Sequence, residues 1–235
     1  MSSPTSIGGG TLAVWFDGSD DSTITLSGSN VTGWADKSGN GRNATYYGGT
    51  YPTKTNPGIR FNSSRMSLSA PLNGNFTVFM VASPSSTSQC YFYGTDLGVA
   101  TFIQNYTGNT LEFFNGSERF PMSSNPASTF LVNVVHNNTT VTGYYQGTSV
   151  YSGASSNMNP GTLVVLGAAQ LGGVGAINAT IYELIIYNSS LSDSDRKAVE
   201  SYLQRKYAKL LGLSFDRSVM RGTSSYMKGS NCLIK

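Results

Sequence analysis

Acidic side chains in this chain gather in one early stretch, where Asp17, Asp20 and Asp21 fall inside DGSDDS and Asp36 follows in DKSGNG. Calcium takes six to eight oxygen ligands, and loop carboxylates with backbone carbonyls supply them. Asp17, Asp20 and Asp36, with the amide of Asn40, are therefore the candidate calcium ligands. Their spacing matches no fixed calcium loop. The competing reading makes Asp36 the cap of the tight Ser38–Gly41 turn, its carboxylate bonding backbone amides two residues on.

Carboxylates also serve hydrolysis of glycosidic bonds, which takes a pair about 5 to 10 Å apart. The chain has four glutamates, Glu112, Glu118, Glu183 and Glu200. No Glu-x-Asp-x-Glu run is present. Glu112 and Glu118 flank an Asn115-Gly116 turn and read as solvent-facing hairpin charges, while Glu183 interrupts an apolar strand and reads as structural. His136 is the sole histidine, so any serine or cysteine triad must use it, and a multi-histidine zinc site is excluded. These residues predict no enzyme and no catalytic set; glycoside hydrolysis is a minor alternative.

Fourteen tyrosines are the remaining signal. Tyr46, Tyr47 and Tyr51 cluster, as do Tyr91 with Tyr93 and Tyr144 with Tyr145. A tyrosine offers a flat apolar face with a polar tip, which suits a sugar ring or a protein interface. These seven are the candidate ligand-binding residues. Adjacent tyrosines on a strand point to opposite faces, so at most one of each pair serves a given surface.

The elements that hold these groups are nearly all strands. Short β-branched and aromatic runs recur between Gly, Asn and Ser turns every 8 to 12 residues or so, the pattern of a sandwich. FTVFMVAS at 76–83 is continuously apolar and reads as a central buried strand. Hairpins are read at 111–120 and 140–151. The end of the pattern differs. Residues 176–187 form a long strand, Asn188–Ser190 break it, and Ser192 is placed to cap a helix with Asp193 and Asp195 in its first turn. Val199, Tyr202, Leu203, Tyr207 and Leu210 make its apolar stripe, marred by Lys206, and Gly212 is the expected stop. The predicted fold is all-β, a two-sheet antiparallel jelly-roll sandwich clasped by one C-terminal α-helix.

Composition narrows the function. Charged residues are 11% of the 235, well below the usual quarter or so, and the formal net charge is +3. No basic run exists, so nucleic acid is not an expected partner. No apolar stretch approaches 18 residues, so no membrane span is expected. The opening MSSPTSIGGG has neither a basic start nor an apolar stretch, so no signal peptide is read there. Residues 1–10 are expected to form a flexible arm, 11–211 one sandwich and 212–235 an extended tail. The two cysteines, Cys90 and Cys232, make no disulfide framework.

Five stretches in order, LAVWFDGSDDSTI, VTGWADKSGNGRNA, GIRFNSS, NFTVFMVAS and ATIYELIIYNSSLSDSDRKAVESYLQRKYA, resemble the concanavalin A-like (laminin-G-like) jelly-roll domains. Such modules occur in bacterial surface proteins and in virion proteins of large DNA viruses. The resemblance implies two antiparallel sheets and a glycan-binding or adhesive role. The resulting expectation is a non-catalytic structural or adhesive module on a virion or extracellular surface, contacting neighbouring subunits through its tail. A glycan-binding lectin is the alternative, with no cofactor required and calcium as an option.

Overall fold

The structure is a computed structural model and describes residues 3–7, 9–69, 74–85, 90–95, 101–104, 110–115, 117–124, 126–155, 163–168 and 178–214. The tail from 215 onward, Cys232 and the side chains of Cys90, Tyr91 and Tyr93 lie outside what is described.

In chain order the strands are β1 (Leu12–Asp17), β2 (Ile24–Ser27), β3 (Asn30–Trp34), β4 (Ala44–Gly49), β5 (Thr53–Lys54), β6 (Ile59–Asn62), β7 (Ser64–Ser69), β8 (Asn75–Pro84) and β9 (Cys90–Thr95). They continue as β10 (Thr101–Gln104), β11 (Thr110–Phe114), β12 (Arg119–Ser124), β13 (Phe130–Asn137), β14 (Thr140–Tyr145), β15 (Thr148–Ala154), β16 (Leu163–Leu166) and β17 (Asn178–Tyr187), before α1 (Asp193–Lys206). The described pairings are all antiparallel and build two sheets, as expected of a sandwich. One runs β15-β14-β13-β8-β17-β1, with β6 replacing β1 against the first half of β17. The other runs β2-β3-β4-β7-β16-β9-β10-β11-β12.

Phe76, Val78, Met80 and Ala82 of β8 enter the main core together with Phe16, Trp34, Phe113 and Leu184. The alternate residues Phe79 and Val81 join a second cluster with Trp15, Ile185, Tyr187, Val199 and Leu203. A strand side that faces water in most sandwiches is therefore dry, because α1 lies on it. This explains why FTVFMVAS is apolar at nearly every position: both of its faces are buried. Each large apolar side chain so covered contributes about 1.5–3 kcal/mol.

The helix begins as its sequence dictates. The Ser192 hydroxyl accepts from the Asp195 amide, a cap worth about 1 kcal/mol. The α-helix proper ends at Lys206; turns carry the chain on to Gly212, whose φ is +67°. The expected flexible arm is corrected over residues 3–7. Pro4 and Ile7 are buried, Ile7 belongs to the helix-side cluster, and the Tyr187 hydroxyl donates to the Pro4 carbonyl at 2.9 Å. Ile7 finds a dry seat beside Trp15, Tyr187 and Leu191, while Thr5 and Ser6 stay exposed.

Candidate functional site

The acidic stretch serves the helix. Glu183, fully buried on β17, accepts four bonds: from Trp15 Nε1 at 2.8 Å, Tyr202 Oη at 2.9 Å, Tyr207 Oη at 2.7 Å and Lys206 Nζ at 2.6 Å. The same ammonium lies 2.6 Å from Asp17 Oδ1. Lys37 bridges Asp17 at 3.0 Å and Asp20 at 2.7 Å. Burial alone raises the Asp17 carboxyl, but the Lys206 and Ser19 hydrogen bonds outweigh it and hold it at about 2. Burial pushes Glu183 the other way, up from its ordinary value.

The four candidate calcium ligands all have partners within the chain. Lysines occupy Asp17 and Asp20. Asp36 accepts from the Trp15, Ser38 and Arg42 amides, the capping role that competed with the metal reading. Asn40 Nδ2 donates to the Leu12 and Ala13 carbonyls. Among the described residues no three His, Cys, Asp or Glu side chains gather as a metal site. No described helix is long and apolar enough to cross a membrane.

The tyrosines divide. Tyr144 lies under the Arg196 guanidinium, 3.7 Å from its carbon to the ring centre. Tyr145 packs on the main core beside Phe130. Both rings are half-buried, one engaged by Arg196 of α1 and the other by the core. Tyr46 and Tyr51 stack with centres 3.9 Å apart. Tyr51 and Tyr47 are 42% and 51% exposed, rare openness for rings so large.

Tyr47 belongs to β4, and the strands on either side of β4 make the candidate site. Register places Thr25, Gly33, Thr45 and Ser67 in one row across β2, β3, β4 and β7. Gly33 leaves a gap in that row: a Cβ there would stand 3.3 Å from Thr25. The gap is an open cleft of about 260 Å³ lined by Thr25, Thr32, Gly33, Asn43 and Thr45 among others. That is slightly below the roughly 300–1,000 Å³ of pockets that enclose small molecules, and it suits one ring held at a surface. The Thr25 and Thr45 hydroxyls make no hydrogen bond among the described residues. Hydroxyls donate and accept at once, as the hydroxyls of a sugar do.

Tyr47 sits two residues beyond Thr45, about 7 Å along the strand. A bulge there sets Tyr47 and Gly48 together against Arg65 of β7, since the pairing steps from Tyr46↔Met66 to Gly48↔Arg65. Sequence reading found Tyr47 but missed Thr25, Gly33, Thr45, Ser67 and Arg65. Small polar residues carry no signal until register aligns them.

The remaining glutamates each have partners of their own. Glu112 bonds Arg119 and Thr110, Glu118 bonds Asn115, and buried Glu200 bonds Arg196 and Asn133. His136 is buried at the end of β13, its Nε2 3.1 Å from Ser155 Oγ. The ring stacks on Phe76 inside the sandwich.

No protein-family model matches the sequence, and no curated protein matches it. Solved structures share the fold. A botulinum neurotoxin type C structure, from work describing that toxin's dependence on interaction with two ganglioside molecules, aligns at TM-score 0.60 and 11% identity, over 83% of this chain and 51% of that one. The binding domain of botulinum neurotoxin DC in complex with SialylT gives 0.60 and 13%, over 83% and 51%. Domain 4 of AbnA, a GH43 extracellular arabinanase from Geobacillus stearothermophilus in complex with arabinotriose, gives 0.58 and 16%, over 82% of this chain and 99% of that one. The chain spans about half the length of the toxin structures it matches. At these identities the likeness is one of fold: an all-β sandwich.

Proposed function

We propose that this chain is a non-catalytic glycan-binding module on a concanavalin A-like sandwich, displayed at an extracellular or virion surface. The observation that carries the reading is the hydroxyl row Thr25-Gly33-Thr45-Ser67, opened at Gly33 and ending beside the exposed Tyr47 ring. Neutral groups that donate and accept, next to a flat apolar face, match the alternation of hydroxyls and C–H faces on a sugar. Support also comes from the fold neighbours determined with arabinotriose and with SialylT. The non-catalytic part of the reading draws on the described glutamates, each held by hydrogen-bonding or cationic partners of its own.

The test is a broad glycan array with the wild-type chain and Gly33→Val, whose added branch fills the cleft. Binding by the wild type, loss in the variant and indifference to a calcium chelator are expected. Silence of the folded wild type across the array overturns the reading. Contact with neighbouring subunits through residues 212–235 remains part of the proposal; particle assembly by a chain truncated after Gly212 tests it, and unchanged assembly removes it.

A further inference from the structure

Arg65 lies beside the candidate site, on the same face of β7 as Ser67. Lys37, Lys54, Arg119, Arg196, Lys197 and Lys206 all form ion pairs; Arg65 forms none among the described residues. Its Nε is buried with no hydrogen-bond partner. Its guanidinium lies across Gly48, where a Cβ would meet Nη2 at 2.9 Å. The lack of a side chain at 48 makes that seat. The bulge puts Tyr47, 51% exposed, opposite the same arginine. Ser67, two residues along β7, shares its face and belongs to the hydroxyl row.

Burying part of a guanidinium without a counter-charge costs free energy, and no described carboxylate repays it. An anion arriving from outside would. We propose that the ligand is a saccharide carrying a carboxylate or sulfate, held by Arg65 at one end of the row, with a ring against Tyr47 and hydroxyls against Thr45 and Ser67. Guanidinium suits this task because its planar fork meets either anion with two donors. The inference rests on the glycan-binding reading and narrows it to anionic sugars.

An array of matched neutral, sialylated, uronate-bearing and sulfated oligosaccharides tests it, using the full chain, Arg65→Gln, Arg65→Lys and Gly48→Ala. The wild type is expected to favour the anionic members by about ten- to a hundredfold, with the preference shrinking as salt rises. Arg65→Gln levels anionic and neutral signals while thermal melting confirms its fold. Arg65→Lys keeps part of the preference. Gly48→Ala retains the charge but displaces the guanidinium, so the preference falls without loss of a cation. The sialylated, uronate and sulfated arms tell carboxylate from sulfate recognition. Equal binding of neutral and anionic members, or an undiminished preference in Arg65→Gln, overturns the inference and leaves glycan binding standing. Silence on every member overturns both.

Discussion

Lys206 Nζ lies 2.6 Å from Glu183 Oε2, joining the last turn of the one described α-helix to the middle of the strand it covers. The contact lies where an apolar stripe along α1 and an apolar run along β17 are each broken by one charge. The two breaks meet. Trp15, Tyr202 and Tyr207 fill the remaining lone pairs of Glu183, and Asp17 takes the rest of the lysine. A buried charge is tolerated when its partners are this complete.

Removing the cation alone should therefore be severe. Lys206→Met leaves Glu183 and Asp17 buried without their shared counter-charge, and we expect a loss of about 3–5 kcal/mol in urea unfolding. The double variant Lys206→Met/Glu183→Gln should recover part of that loss, because an amide needs no counter-ion. A single variant within about 0.5 kcal/mol of wild type would mean that apolar contacts alone seat the helix.

Those apolar contacts carry their own cost. Leu203 is 1% exposed between α1 and the β8–β17 sheet, whereas Leu213 is 37% exposed beyond it. Leu203→Ala should destabilise by about 2–5 kcal/mol through the cavity it opens. Leu213→Ala should change stability by no more than about 0.5 kcal/mol. Equal effects in thermal unfolding would show that the helix is loosely laid on the sheet.

The helix and its seat are the part most legible in the chain itself. Ser192, Asp195 and the 3.6-residue recurrence of Val199, Leu203 and Leu210 are local signals, and local signals survive without knowledge of partners. Phe76–Ser83 likewise declares its double burial by lacking polar alternation. Lys206 and Glu183 look like blemishes when read one element at a time. Their meaning is a contact across 23 residues and two kinds of period, which no single-element pattern encodes. The same holds for the site. Thr25, Gly33, Thr45 and Ser67 are ordinary small residues until four strands come into register. The bulge that places Tyr47 and Gly48 against Arg65 depends on pairing between β4 and β7 and leaves no mark in composition. Tyr144 and Tyr145 show the complementary point: their type suggests ligand contact, and only the fold reveals their neighbours Arg196 and Phe130.

His136 makes the pH dependence readable. Burial lowers its imidazole below the ordinary 6.5, against the Gly74 carbonyl, which raises it. The unfolded chain then takes up a proton near pH 6.5 while the folded chain resists it. More protons bound in the unfolded state means stability that is complete above about pH 7 and declines as pH falls toward 5. Asp17, held at about 2, adds its own loss only below about pH 4, whereas the raised Glu183 acts with opposite sign above its ordinary 4.5, where the folded chain holds the extra proton. With one histidine in the chain, proton NMR should show a single imidazole titration with its midpoint under 6.5. His136→Gln should flatten the stability profile between pH 7 and 5. A midpoint at or above 6.5 would mean that the ring is solvated.

The tyrosines of the candidate site should separate binding from folding. Tyr47 is half exposed, so Tyr47→Ala should leave thermal stability within about 0.5 kcal/mol of wild type. If its ring faces the bound sugar, the same change should weaken saccharide binding by about tenfold, read by calorimetry on an array-selected ligand. Tyr145→Ala should do the opposite: its ring packs on Phe130 and the main core, so stability should fall by about 2–4 kcal/mol while the folded fraction keeps its affinity. Gly33→Val provides the third corner, because a branched residue suits a strand yet fills the cleft beside Thr25. Full affinity in both Tyr47→Ala and Gly33→Val would place the sugar elsewhere on the sandwich, since no ligand using that row tolerates the loss of its apolar wall and the filling of its gap together.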